Sequence, residues 1–502
     1  MPYILRSNDV KNLDAELERL NLLNITVENA GRSVAEKTLE LYPLAQHFLV
    51  LVGKGFNGAD ALVAARHLIA AGRKVRVLTL ENDWTKTVSM WLEPGNSLEL
   101  NIKNLERSLL QPEVILEGLL GTGFRAPLHP NLEQMVKILN GSSVPILSID
   151  LPSGLEADET GAQTGLFVRA THTLALGSLK PAFLFEPTRS SIGQLHILSI
   201  AVPDALLEKY AFAQTLEPNL IASLLPVRSS SAHKGTAGEV WVLGGSIGMT
   251  GAPLLSAWAA LKTGSGLVKT YSKVDLTGGA LETLHHKVTD WAALENLKKP
   301  QATAVGMGLG VEAVKVALQV LEWRIPTVLD ADALNPELEG KGHESCIWTP
   351  HPKEAARMLG CETADIVGNP FESVLELHRR FGGSVVLKGG PTVISTASSS
   401  GKSLLLWVNT TGNPGMASAG MGDTLSGILV SLLGQGLSSP DAARAGVFLH
   451  GLAGDSLLEE EGYGLQASEV AARVGRVMWE LTRHLERKPP GSVKAICTTL
   501  EP

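Results

Sequence analysis

Twice along this chain, short apolar runs ending in glycine loops alternate with longer stretches of helical periodicity. Strand, loop, helix, strand in that order implies a mostly parallel sheet, because a crossover must carry the chain back before the next parallel strand can pair. In the first half the runs are Phe48–Val52, Val75–Leu80, Val114–Leu116, Pro145–Ile149, Thr173–Leu176 and Leu195–Ile200. Helical patterns cover Leu13–Leu39 and Ala59–Ala71. In the second half the runs are Val240–Leu243, Ala304–Val305, Thr327–Leu329, Ser384–Leu387 and Thr392–Ile394. Between the halves, Thr215 to Gly235 holds Pro218, Pro226 and Ser229-Ser230-Ser231, and reads as a linker. A chain of 502 residues also exceeds the ~250–300 residues at which single cores stop growing. The expectation is α/β with two domains, residues 1–216 and 217–502, each a sheet with helices on both faces.

Composition narrows the function classes. The net charge is −8 and no basic block occurs, which argues against a nucleic-acid partner. The three cysteines, Cys346, Cys361 and Cys497, form no CxxC pair, which argues for a reducing compartment and against a zinc site. The start of the chain has no apolar signal core, and no apolar run reaches the ~18–20 residues that span a bilayer. A cytoplasmic protein with no membrane partner is expected.

In the second half, Asn413-Pro414-Gly415-Met416-Ala417-Ser418-Ala419-Gly420-Met421-Gly422-Asp423 runs straight into the apolar helical pattern Leu425–Leu433. The first turn of a helix has unpaired N–H groups and a partial positive charge, so it suits phosphate. An aspartate there is repelled by phosphate unless it has a task. Asp423 is either a helix cap or a general base for a hydroxyl about to receive a phosphoryl group. Other segments fall at strand ends, where open α/β sheets bind ligands. They are Gly244–Ala252, Gly306–Gly310, Asp330–Asn335, Thr349–Glu354 and Leu387-Lys388-Gly389-Gly390-Pro391-Thr392. Gly244–Gly248 also satisfies GxSxG, the nucleophile elbow of α/β-hydrolases, but a hydrolase leaves Gly422-Asp423 and Lys388 without a role.

In the first half, Gly53-Lys54-Gly55-Phe56-Asn57-Gly58 satisfies GxGxxG, and Glu81 lies ~20 residues further on, as in a Rossmann dinucleotide site. Two more loops stand at strand ends: Gly121-Thr122-Gly123, and Asp150-Leu151-Pro152-Ser153-Gly154. The second presents a carboxylate and a hydroxyl, which serve either acid–base work or a turn.

His233–Gly238, Gly244–Ala252, Leu329–Asn335, Thr349–Pro352 and Asn413–Gly427 follow in order the pattern of the NAD(P)H-hydrate dehydratases. The second half resembles the ribokinase-like domain of that family. The resemblance implies a substrate, NADH or NADPH carrying water on the nicotinamide ring, and a donor, ADP or ATP, with Mg2+. It implies that Asp423 is the catalytic base. Ala252, Gly308 and His351 would meet the hydrated dinucleotide, and Lys388, Gly389, Gly390, Pro391, Thr392, Gly420 and Gly422 the nucleotide. Met421 departs from the family's small residue or threonine.

Val27–Gly31, the loop to Asp60 with Ala64–Leu68, and Ile149–Gly154 resemble the NAD(P)H-hydrate epimerase domain, a Rossmann-like three-layer sandwich. That resemblance implies that Asp150 is the catalytic acid/base, assisted by Lys180. Asn57, Gly58, Asp60, Gly121, Thr122 and Gly123 would line the substrate site, and Asn57, Glu117 and Ser153 would bind K+. Phe56, Ala59 and Ala61 depart from the family, and Glu117 replaces its aspartate. Relatives commonly assemble, so a homo-oligomer is expected. Two other readings stay open: a ribokinase-type small-molecule kinase, and a first half that binds or holds structure without chemistry.

Overall fold

A computed structural model of the chain describes residues 3–80, 91–92, 95–161, 165–226, 231, 233–398 and 403–486. Glu81, Ser229, Ser230 and Cys497 lie outside the described residues. The chain divides into two compact units between Gln214 and Thr215.

Among the described residues, the sheet of the first unit has seven strands: β1 His47–Val52, β2 Lys74–Thr79, β3 Ser97–Glu99, β4 Val114–Gly118, β5 Ile146–Ile149, β6 His172–Leu176 and β7 Gln194–Leu198. Their order is β3-β2-β1-β4-β5-β6-β7, and every pairing is parallel. Strand side chains alternate between faces, and β1 uses both. Phe48, Val50 and Val52 join Ala61, Leu62, Leu68 and Val34 in one core. Leu49 and Leu51 join Leu105, Met135 and Leu139 in the other. That double burial is why β1 reads as one continuous apolar run. The helical pattern expected over Leu13–Leu39 is two helices, Ser7–Arg19 and Leu23–Leu41. The break falls at Asn21, whose φ is +56°, a left-handed conformation that asparagine tolerates better than most residues.

Nine strands lie wholly within the second unit and pair in one sheet: β8 Glu239–Leu243, β9 Leu267–Ser272, β10 Leu284–Lys287, β11 Ala302–Val305, β12 Thr327–Leu329, β13 Cys346–Trp348, β14 Ser384–Leu387, β15 Thr392–Ala397 and β16 Leu404–Asn409. The order is β16-β15-β14-β13-β12-β11-β8-β9-β10, antiparallel at β14-β15-β16 and parallel elsewhere. Helices Gly251–Thr263, Met421–Gly434, Ser439–Glu461 and Ala467–Glu486 pack into its largest apolar core. The expected linker is partly structure. Pro218–Leu224 is a helix, and its Ile221 is wholly buried in that core.

Strand order reverses once in each sheet, between β1 and β4 in the first unit and between β8 and β11 in the second. Open sheets bind ligands in the crevice at such reversals, beyond the strand C-termini. The glycine loops after β1, β4, β8 and β11 all leave the sheets at these places.

Candidate functional site

In the second unit, Lys388 follows β14 and Asp330 follows β12. Lys388 Nζ donates to Asp330 Oδ1 at 2.8 Å, and Ser426 Oγ donates to Asp330 Oδ2 at 2.7 Å. Burial alone would raise the Asp330 carboxyl, but Lys388, Ser426 and Thr349 outweigh it and hold it below the ordinary range. The same pair, with Glu354 at 3.8 Å, outweighs burial at Lys388 and keeps its ammonium protonated.

The helix Met421–Gly434 opens over this pair. Its cap, Gly420, has φ +88°, a left-handed turn that aims the next amides outward. The first intrahelical bond is donated by Thr424 N to Gly420 O, and the amides of Met421, Gly422 and Asp423 have no partner among the described residues. A Cβ on Gly422 would lie 3.3 Å from Lys388 Nζ, so this turn rests on the lysine. Asp423 is the third residue of the helix. Burial first, then Asp330, Asp332 and Glu354, push its carboxyl up to about 7 against the pull of Lys388. A base with that value can take a proton and release it near neutrality.

His351 caps the helix Pro352–Leu359, and its Nδ1 accepts the amides of Lys353 and Glu354 at 3.2 Å each. That fixes the ring with Nε2 turned outward, 3.5 Å from Glu354 Oε1. Gly308 has φ +66°, and a Cβ there would meet Met249 O at 2.8 Å; the loop after β11 is therefore held against the loop after β8. Ala252 is the second residue of the helix that begins beyond the latter loop. Gly389 to Thr392 join β14 to β15, with Thr392 Oγ1 donating to Gly389 O at 3.0 Å. Ser246, the serine of the GxSxG match, has no histidine base bonded to it among the described residues, so the hydrolase reading finds no machinery here.

In the first unit, one cavity of about 1380 Å³ is lined by Asn57, Asp60, Gly121, Thr122, Gly123, Asp150 and Lys180 among others. Gly58 is buried in the helix Phe56–Ala70 and is not part of that lining. Asp150 directly follows β5, with φ +61°. Lys180 Nζ donates to its Oδ1, as does Leu176 N at 3.1 Å. Lys180 is only 1% exposed, and it also donates to Ser178 O at 3.2 Å.

The expected potassium residues come together, but not as a cation cage. Glu117 is wholly buried on β4. One carboxylate oxygen accepts Leu119 N and Ser153 Oγ, and the other accepts Ser148 Oγ and Ser153 N. A carboxylate has about four lone-pair positions, and here protein donors fill all of them. Of the three residues only Asn57 offers a buried oxygen without a partner, Oδ1. The set as placed does not fit K+, and Glu117 instead ties β4, β5 and the Ser153 turn together. Glu117→Gln should lower the thermal stability of this unit. The amide puts an N–H group against donors, and each buried group left unsatisfied costs about 1–3 kcal/mol; calorimetry showing an unchanged transition would remove that structural role.

A family profile described as NAD(P)H-hydrate dehydratase matches residues 240–476, and one described as YjeF-related protein N-terminus matches residues 24–182. The bifunctional NAD(P)H-hydrate repair enzyme Nnr of Escherichia coli (strain K12) is 36% identical over 488 residues, covering 92% of each chain. The chain belongs to the bifunctional NAD(P)H-hydrate repair family. The Nnr enzyme of Moorella thermoacetica is 34% identical over 508 residues, covering 92% of this chain and 93% of its own. A structure of the ADP/ATP-dependent NAD(P)H-hydrate dehydratase of Bacillus subtilis, co-crystallised with ATP/Mg2+, covers 54% of this chain and 99% of its own, at 30% identity and TM-score 0.49. Like its relatives in this repair family, the chain carries both units in one polypeptide. No helix among the described residues is long and apolar enough to cross a membrane.

Proposed function

We propose that this chain repairs hydrated NADH and NADPH, with residues 1–216 interconverting the R and S hydrates and residues 217–502 dehydrating the S form at the expense of ADP or ATP. The observation that carries the second part is Asp423, a carboxyl tuned to about 7, set in an open amide turn above the Lys388–Asp330 pair. Hydroxide is a poor leaving group. Asp423 takes the proton of the ring hydroxyl as that oxygen attacks the terminal phosphorus of the nucleotide, whose bridging bond breaks to release AMP from ADP or ADP from ATP. The free amides of Met421, Gly422 and Asp423, together with Lys388, face the negative charge that builds on the transferred group. The ring nitrogen beside the phosphorylated carbon then pushes out phosphate, and loss of a proton from the neighbouring ring carbon restores the carbon–carbon double bond of the reduced ring.

Among the described residues no three His, Cys, Asp or Glu side chains are grouped as a metal site. Magnesium characteristically keeps water and phosphate oxygens as ligands and takes only one or two carboxylates. The carboxylates Asp332 and Glu354, which both act on Asp423, fit that need. The ion would neutralise phosphate charge. A cytoplasmic location and a homo-oligomeric state complete the proposal.

The test mixes both hydrate epimers with the protein, Mg2+ and ADP or, separately, ATP, and follows near-ultraviolet absorbance. Complete recovery of the reduced dinucleotide is expected. Recovery that stops when the S form is consumed leaves the dehydratase and removes the epimerase. No recovery with either nucleotide, but a stable phosphorylated product on another hydroxyl compound, would make the chain a small-molecule kinase.

A further inference from the structure

Asp14 lies outside the stretch matched to the YjeF-related family, residues 24–182. It projects from the helix Ser7–Arg19 onto the cavity that Asp60, Asp150 and Lys180 also line. Three carboxylates therefore share this wall with the buried ammonium of Lys180, which is already bonded to Asp150. Asp60 is 7% exposed, and its carboxyl group has no hydrogen-bond partner among the described residues. Asn57 Oδ1, one turn earlier on the same helix, is also buried and unpartnered. Buried polar groups left open are costly, so this wall is built to meet polar groups of a bound molecule. Lys11, Glu18, Lys54, Glu99, Arg125 and His129 complete the charged lining.

We propose that Asp14 is a second catalytic acid–base group of this cavity, exchanging a proton with the ring nitrogen of the hydrate while Asp150 exchanges one with the ring hydroxyl. The proposal rests on the epimerase reading. The carbon to be inverted bears the hydroxyl and is bonded to the ring nitrogen. Asp150 removes the hydroxyl proton, the oxygen lone pair forms a carbonyl, and the carbon–nitrogen bond breaks with its electrons going to nitrogen. Nitrogen takes the proton of Asp14. The open-chain aldehyde rotates about its carbon–carbon single bond and presents its other face. Nitrogen attacks, its proton returns to Asp14, and the oxygen recovers a proton from Asp150. Nothing is gained or lost, and no external reagent is needed.

The step needs one group that starts ionised and one that starts protonated. Environments that push two carboxyls apart make that division. Burial first, then Asp150, raise the Asp14 carboxyl to about 6 against the pull of Lys180. Asp60 is pushed well above its ordinary value by burial, Asp150 and Asp14. That environment favours its neutral form. Asp14 is the one placed to give a proton and recover it near neutral pH.

The experiment supplies the R hydrate alone, without nucleotide, to the full chain and measures the S hydrate by chromatography. Asp14→Asn should lower kcat by about 10²-fold or more with KM little changed, and Asp14→Glu should recover part of the loss. Wild-type kcat should fall as pH rises above about 6, and the Asn variant should lose that limb. Melting curves check that both variants fold. If the wild type converts R to S and Asp14→Asn keeps its kcat or its alkaline limb, the proposal fails alone. If the wild type makes no S hydrate, the epimerase reading fails and takes the proposal with it.

Discussion

Asp423→Asn is expected to reduce dehydration of the S hydrate by about 10³-fold or more, combining the loss of a general base, typically 10²–10⁴-fold, with a disturbed phosphoryl site. The amide keeps the size of the carboxyl and cannot accept the proton. In the wild type the rate should rise with pH through about 7, where Asp423 loses its proton, and level off above. The variant should lose this limb. Stability should move the other way. The folded-state carboxyl is raised from 3.8 to about 7, so the wild type loses stability as pH rises through that window, because ionisation is harder in the fold than in the open chain. The Asn variant has no such loss. Its melting temperature relative to wild type should therefore climb between about pH 4 and pH 7 and level off above. Near-normal turnover by Asp423→Asn would remove the residue from the role of base, and a flat stability difference would contradict its buried environment.

Asp423 was legible in the sequence because a glycine loop entering an apolar helix is a local pattern, and helix geometry follows from it. Strands buried on both faces were legible for the same reason: β1 and β8 announce themselves as apolar runs. β10 did not, since Leu284-His285-His286-Lys287 is an edge strand whose pairing with β9 comes from tertiary context. The Lys388–Asp330 pair spans 58 positions and exists only because β12 and β14 flank β13. Glu117 shows the opposite limit. The family resemblance implied a cation ligand, with glutamate in place of aspartate, but the four donors to Glu117 come from Ser148, Ser153 and the Leu119 amide. No spacing rule could have shown that they close on one carboxylate. Asp14 was missed because nothing next to it in the sequence marks chemistry; only the fold brings its helix to the cavity of Asp150.

Asp150→Asn is expected to cut R-to-S conversion by about 10²–10⁴-fold while the S hydrate is still dehydrated. Asparagine is the informative substitution, because it tolerates the left-handed conformation at φ +61° and its oxygen can still accept the Leu176 amide. What it cannot do is balance Lys180, whose ammonium is 1% exposed. Removing one partner of a buried ion pair commonly costs about 3–5 kcal/mol, so the single variant should also melt earlier, and lost activity could be confused with lost structure. The double variant Asp150→Asn, Lys180→Met separates the two. It removes both charges together, so it should recover much of the lost stability and none of the epimerisation. If a variant matched a wild-type rate faster than the protein-free one, Asp150 would lose the acid–base role; if wild type and variants alike consumed the R hydrate only at the protein-free rate, the first unit would be a binding module without chemistry. The buried Asp150–Lys180 pair would then be a structural clamp, and the cavity beside it would hold a dinucleotide without changing it.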